Sequence, residues 1–123
     1  MRLGREGLSS PFFSRLTSEI EMVAYVIFTR LRTRDAAQLK QYADSRTKFF
    51  AGHKVTVLVP FGTPFEVLEG PGAEGVSILE FPTLAEAKAW YSSPAYQEAS
   101  QHRFRGGDYT SIIIDASASV PPQ

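Results

Sequence analysis

The chain has 123 residues, with 13 Lys and Arg against 13 Asp and Glu, so its formal net charge is zero. This length fits one domain, and the charge balance excludes a general nucleic-acid binder, which needs a basic excess. The chain has no cysteine, which excludes disulfides and thiolate chemistry, and no apolar run approaches the roughly 20 residues of a membrane span. We therefore expect a neutral, cytoplasmic protein with neither a nucleic-acid nor a membrane partner.

The first 21 residues lack the periodicity of the rest of the chain. Arginine and glutamate are mixed there with Gly, Ser and Pro, and no apolar run is long enough for a signal peptide. We expect residues 1–21 to be a flexible N-terminal extension, with a short helix from Pro11 to Ile20 as the alternative. The folded domain is then predicted over residues 22–115, followed by a fraying tail over residues 116–123.

The first periodic segment is a strand followed by an amphipathic helix. Val23 to Phe28 is β-branched and aromatic on both faces, which suits a strand covered on both sides. Asp35 is a typical helix N-cap, and apolar residues then recur at spacings of three and four as far as Phe50. We therefore predict one helix from Asp35 to a stop at Gly52.

The second half of the chain alternates between extended and helical patterns. Lys54 to Val59 and Val76 to Phe81 are predicted strands, with a short extended piece between them at Phe65 to Leu68. Thr83 to Glu86 forms a capping box that opens a helix. Ser93 then caps a further helix that begins at Pro94, and Tyr109 to Asp115 is the last predicted strand.

The order β-α-β-β-α-β predicts an α+β protein with a ferredoxin-like antiparallel sheet and its helices on one face. The predicted strands are apolar on both faces, but the helices can cover only one of them. The other face therefore needs a cover that this chain does not supply. A second copy packed sheet against sheet would bury it, so we expect a symmetric homodimer.

A distinctive string of residues follows the third predicted strand. It reads Glu80-Phe81-Pro82-Thr83 and then, after Ala87, Ala89-Trp90-Tyr91-Ser92-Ser93-Pro94-Ala95-Tyr96-Gln97. Together with Ala24-Tyr25-Val26-Ile27, Tyr42, Glu66-Val67-Leu68-Glu69-Gly70 and Arg103, this string resembles the domain of unknown function 1330 family. The resemblance covers about Met22 to Asp115.

The resemblance implies the dimeric α/β-barrel superfamily, in agreement with the two-sided sheet. The glycine- and arginine-containing segments usual in the family are replaced here over residues 51–64, with a longer spacing. Relatives in the wider superfamily include cofactor-free quinol monooxygenases, haem-degrading enzymes and muconolactone-type isomerases. Such a likeness of fold does not determine a function.

Six side chains are candidate ligand contacts. They are Tyr25, Tyr42, Arg46, Trp90, Tyr96 and Arg103. Aromatic residues at helical spacing form either a core or the wall of a pocket. An arginine on an apolar stripe needs a carboxylate, a path to water or a ligand anion, and its planar guanidinium suits carboxylate recognition.

Two further residues are candidates for a general base. His53 could act from the junction between the first helix and the second strand, or be an ordinary loop residue. Glu80 could lie in the cavity or pair with an arginine. Without a metal-ligand or phosphate-binding motif, we expect no metal and no cofactor.

These observations favour a homodimer that binds a small aromatic or carboxylate-bearing molecule. By analogy of fold it could extend to a cofactor-free enzyme of monooxygenase or isomerase type. The alternative is a non-catalytic dimeric module with a binding or structural role.

Overall fold

The computed structural model describes residues 23–117. Its elements in chain order are β1 (Ala24–Thr33), α1 (Ala36–Asp44), α2 (Arg46–Phe50), β2 (Thr56–Val59), β3 (Gly75–Phe81), α3 (Leu84–Tyr91), α4 (Pro94–Gly106) and β4 (Gly107–Asp115). The strands form one antiparallel sheet in the order β2-β3-β1-β4. The predicted α+β ferredoxin-like fold is confirmed.

The boundaries of the domain stay predictions. The expected extension over residues 1–21 lies outside the described residues, and so does most of the expected tail. No helix within residues 23–117 is long and apolar enough to cross a membrane. The expected cytoplasmic location also stays a prediction.

Strict alternation along the central strand β1 separates the two faces of the sheet. Ala24, Val26 and Phe28 are buried, whereas the residues between them are half-buried. The buried set faces the helices and meets the side chains of β3 that lie opposite, Leu79 and Phe81. The helices complete this core with Tyr42, Phe49, Ala87, Trp90, Tyr96 and Ala99.

The single helix predicted from Asp35 to Gly52 is wrong, because Ser45 divides it into α1 and α2. The Ser45 hydroxyl donates a hydrogen bond to the Gln41 carbonyl at 2.9 Å. Such a bond from a side chain to the preceding turn bends a helix. The break separates Arg46 from the regular stripe on α1.

Strand β1 is longer than predicted because its basic end has acidic partners. Arg32 and Arg34 both lie within ion-pair distance of Asp108, at 3.0 and 2.8 Å. The Arg34 guanidinium also donates to the Gly107 carbonyl at 3.2 Å. These contacts keep the ends of β1 and β4 paired, so β4 begins at Gly107 and not at Tyr109.

The predicted extended piece at Phe65 to Leu68 joins no strand. Both edges of β3 are already occupied, by β1 on one side and β2 on the other. Residues 60–74 form a loop in which Leu68 is 90% exposed. The two ends of this loop are fixed, because Phe61 packs on the Tyr109 ring and the Glu74 amide donates to the Arg30 carbonyl.

Gly106 joins α4 to the start of α1. Its carbonyl accepts hydrogen bonds from the Arg34 and Asp35 amides, at 2.7 and 3.0 Å. A Cβ at this position would lie 2.5 Å from Leu39 Cδ2 and 3.1 Å from the Leu39 backbone nitrogen. The two helices can approach this closely only because residue 106 has no side chain.

We expect Gly106→Ala to lower the free energy of unfolding by about 1–3 kcal/mol, since the added methyl overpacks the contact with Leu39. Gly72→Ala is the matched control, because a Cβ there meets no atom within 4 Å. The control should change stability by no more than about 0.5 kcal/mol. Urea unfolding of the two variants measures the difference, and equal stabilities would contradict the close packing.

Candidate functional site

A cavity of about 270 Å³ lies between the inner face of the sheet and the helices α1, α2 and α3. Half of the residues in its wall are aromatic, namely Phe28, Tyr42, Phe49, Phe50, Phe61 and Trp90. Apolar cavities with a few polar groups are the usual form of a small-molecule site. The polar side chains of this wall are Tyr42, Arg46 and Ser77.

Arg46 lies at the exposed edge of the cavity. Its Nε donates to the Ala43 carbonyl at 3.0 Å, which fixes one edge of the guanidinium. No Asp or Glu of the described residues lies within ion-pair distance of it. The structural salt bridge considered for Arg46 is therefore not found within residues 23–117.

Trp90 belongs to the wall of the cavity and to the core at once. The side chain is fully buried, and its Nε1 donates to the Phe49 carbonyl at 2.9 Å. Its ring lies 4.1 Å from the Tyr96 ring, measured between centroids. The indole thus connects α3 to α2 and α4, and holds one side of the cavity in place.

A buried group of three polar side chains lies behind the cavity, and we call it the tyrosine–arginine chain. The hydroxyl oxygens of Tyr42 and Tyr96 are 2.8 Å apart, and Arg103 Nε donates to the Tyr96 hydroxyl at 3.2 Å. Ser93 caps α4 and accepts the Tyr96 amide hydrogen, so α4 begins where Tyr96 and Arg103 face inwards. Of the three residues, only Tyr42 lines the cavity.

Arg103 is a buried cation without a carboxylate partner among the described residues. Only 3% of its surface is exposed. Its guanidinium carbon lies 5.0 Å from the centre of the Phe28 ring and 5.2 Å from that of Tyr109, distances typical of cation–π contacts. Burial opposes its charge, but the nearby Tyr96 and Tyr42 outweigh this effect and raise the pKa of Arg103.

Both tyrosines of the chain stay protonated at neutral pH. Burial raises the pKa of Tyr42 well above its ordinary value of 10.0, with a further contribution from Tyr96. Burial also raises the pKa of Tyr96, against the opposing effect of the Arg103 charge. The two hydroxyls are therefore hydrogen-bond donors and not anions.

The structure does not bring all of the candidate residues together. Tyr25 lies between the inward-facing Ala24 and Val26, so it projects from the opposite face of the sheet. Glu80 lies directly across from Tyr25 on β3 and shares that outer face. Alternation therefore keeps Tyr25 and Glu80 out of the cavity that Tyr42 lines, which excludes one of the two alternatives considered for Glu80. A role of either residue in ligand binding stays a prediction.

His53 also lies away from the cavity wall. It follows α2 in a turn, half-buried, and its amide donates to the Phe50 carbonyl at 3.1 Å. Neither of the two candidate bases therefore lines the cavity. Within residues 23–117, no group of three or more His, Asp or Glu side chains could hold a metal ion.

Several wall residues were not among the sequence candidates. Phe28 and Ser77 lie opposite each other on β1 and β3, and both project inwards. Phe28 shares a face with Ala24 and Val26, and Ser77 shares one with Leu79 and Phe81, so the period of two along each strand was a signal that could have found them. Phe61 lies in a turn, where no periodicity indicates which way a side chain faces.

The chain resembles one protein family and several solved structures. The model of the family described as "Domain of unknown function (DUF1330)" matches residues 23–117. A protein of unknown function from Rhodopseudomonas palustris is 21% identical, with a TM-score of 0.59 over 93% of this chain and 95% of that chain. The search of curated proteins found no match.

Two further structures show the same fold at lower identity. A dimeric ferredoxin-like protein of unknown function from Thermobifida fusca is 13% identical, with a TM-score of 0.53 over 76% of this chain and 90% of that chain. SnoaB, a cofactor-independent oxygenase from Streptomyces nogalater, is 12% identical, with a TM-score of 0.50 over 81% of this chain and 97% of that chain. These likenesses show the fold alone.

We expect Tyr42→Phe to reduce the loss of stability at alkaline pH. Folding raises the pKa of Tyr42, so above about pH 10 the unfolded chain loses this proton before the folded chain does. The stabilisation is complete below the unfolded pKa and is lost as the pH rises towards the folded pKa. The free energy of unfolding should therefore fall less steeply in the variant.

Urea unfolding between about pH 8 and pH 11 measures this slope. Tyr91→Phe is the control, because it removes a hydroxyl from a ring that is 36% exposed. That variant should follow the unmodified chain. A Tyr42→Phe slope equal to the control would contradict the burial of the Tyr42 hydroxyl.

Proposed function

The chain belongs to the DUF1330 family of domains of unknown function, and we propose that it is a homodimer that binds a small aromatic molecule carrying a carboxylate. The observation that carries the proposal is the cavity beside Tyr42. It combines a wall of aromatic rings with an arginine at its exposed edge. This combination suits a flat ring inside and an anion at the mouth.

The size and composition of the cavity support a ligand of about one aromatic ring. Its volume of about 270 Å³ is just below the usual range of ligand pockets, which begins at about 300 Å³. Rings such as Phe49 and Trp90 offer stacked or edge-to-face contacts to an aromatic guest. A purely structural module is less well supported, because an unfilled space among buried side chains costs stability.

Arg46 supports recognition of a carboxylate in particular. Its Nε is held by the Ala43 carbonyl, and no Asp or Glu of residues 23–117 neutralises it. Guanidinium and carboxylate groups are both planar and pair through two parallel hydrogen bonds. The position at the edge of the cavity lets a ligand keep its ring inside and its charge outside.

The outer face of the sheet supports the homodimer. It carries a continuous apolar surface made of Tyr25, Ile27, Ile78, Ile112 and Ile114. Ile112 is 56% exposed and Ile114 is 40% exposed. Contiguous apolar surface of this kind marks an interaction face, and a similar structure from Thermobifida fusca is described as dimeric.

A cofactor-free enzyme is the second candidate. The structure of SnoaB, described as a cofactor-independent oxygenase, has a similar fold. The ionisable side chains that line the cavity within residues 23–117 are Tyr42 and Arg46. A reaction here would therefore use Tyr42 and not His53 or Glu80, and binding is the function that the geometry supports best.

We expect benzoate to bind more tightly than benzamide, and Arg46→Gln to remove that preference. Loss of a charge-assisted pair should weaken benzoate binding about tenfold and leave benzamide binding unchanged. Lys48→Gln is the control, since this exposed cation lies two residues further on and does not line the cavity. Isothermal titration measures both ligands, and benzoate affinity independent of Arg46 would contradict the proposed role.

We expect Ile112→Lys to convert the dimer into a monomer, because it places a charge on the outer apolar face. Ile113→Lys is the control, because it makes the same substitution at the next residue. Ile113 lies opposite Val26 and therefore on the inner face of the sheet, and it is 39% exposed. Sedimentation velocity at micromolar concentration measures the mass. A monomeric parent chain would refute the homodimer.

A further inference from the structure

The tyrosine–arginine chain has more hydrogen-bond donors than acceptors. Arg103 can only donate, and it uses Nε on the Tyr96 hydroxyl. Its two terminal nitrogens make no hydrogen bond to an acceptor among residues 23–117. Each tyrosine adds one hydroxyl proton, and the two hydroxyls share a single contact.

The excess of donors determines which of the two tyrosines donates the hydrogen bond between their hydroxyls. If Tyr42 donated to Tyr96, the Tyr96 proton would remain without an acceptor in a fully buried position, which is costly. If Tyr96 donates to Tyr42, the proton left over belongs to Tyr42. Tyr42 lines the cavity, where an oxygen of a bound molecule can accept it.

The charge of Arg103 makes that last proton a stronger donor. The cation is buried without a carboxylate in the described part of the chain, so its field is weakly screened. Its hydrogen bond polarises the Tyr96 hydroxyl, and the Tyr96 hydroxyl in turn polarises that of Tyr42. A donor of this kind favours a negatively charged acceptor over a neutral one.

We propose that the Tyr42 hydroxyl donates a hydrogen bond to an anionic oxygen on the aromatic ring of the bound molecule, and that Arg103 is a positioning residue acting on Tyr42 through Tyr96. The inference rests on the proposed function and deepens it. The ligand class becomes an aromatic compound with a phenolate or enolate oxygen at Tyr42, in addition to a carboxylate at Arg46. Its anionic oxygen sits at the buried side of the cavity.

The experiment uses 4-nitrophenol as the probe, because its phenol and phenolate forms absorb at different wavelengths. Titration of the bound probe between about pH 5 and pH 9 gives the preference of the cavity for phenolate over phenol. In the unmodified chain we expect the bound probe to ionise at lower pH than the free probe. Tyr42→Phe should reduce the phenolate preference about tenfold.

Arg103→Met should also reduce the preference for phenolate, although Arg103 does not line the cavity that holds the probe. Arg105→Met is the matched control, an exposed arginine two residues on in the same helix, and it should match the unmodified chain. Because Arg103→Met removes a buried core side chain, Tyr96→Phe gives a second route to the same test. It keeps the ring and breaks only the hydrogen-bonded connection.

The outcomes separate this inference from the proposed function. Bound probe that ionises at the same pH in Tyr42→Phe, Tyr96→Phe and the unmodified chain overturns the inference. If benzoate still binds in an Arg46-dependent way, the proposed function stands without it. If neither benzoate nor 4-nitrophenol binds, the proposed function and the inference both fall.

Discussion

The contact between Tyr96 and its neighbours is the interaction on which the interior of this protein depends. Its ring packs against Trp90 from α3, and its hydroxyl meets Tyr42 from α1 and Arg103 from a later turn of α4. A phenol is suited to this place, because its apolar ring fills the core while its oxygen satisfies polar partners. Through one side chain, three helices are fixed relative to the inner face of the sheet.

This arrangement also explains how a buried cation is tolerated. Arg103 has no carboxylate among the described residues, yet aromatic faces surround its guanidinium and a hydroxyl oxygen accepts from it. Each contact is modest alone, at about 0.5–2 kcal/mol for a cation–π pair. The charge remains only partly compensated, so it polarises the hydroxyl that is bonded to it.

Much of the fold could be predicted from the sequence because the signals were local. The β-branched and aromatic run from Val23 to Phe28 and the caps at Thr83 and Ser93 correspond to an observed strand and two observed helices. The break at Ser45 was missed, since a hydroxyl that bonds back to Gln41 leaves no trace in the hydrophobic period. The paired ends of β1 and β4 were also missed, because they depend on Asp108, which is distant in sequence.

The candidate site was predictable only in part, for a related reason. Tyr96 and Arg103 are seven residues apart, a spacing that places both on one face of a helix, and both are buried on α4. The sequence could not show whether Tyr25 and Glu80 lie on the same side of the sheet as the helices. Both faces of the strands are apolar, so the period of two separates the faces without showing which of them the helices cover. Only the placement of the helices on the side of Ala24 and Val26 decides it.

The loop over residues 60–74 gives the cavity a composite wall. Phe61 reaches the cavity from this loop and is held there by the Tyr109 ring and the Arg30 guanidinium. Most of the remaining wall comes from helices and central strands that also form the core, with Val57 added from the edge strand β2. Variation in the loop can therefore reshape one side of the cavity while the sheet and helices keep their packing. A change in the shape of the cavity would therefore disturb the fold least if it arose in this loop.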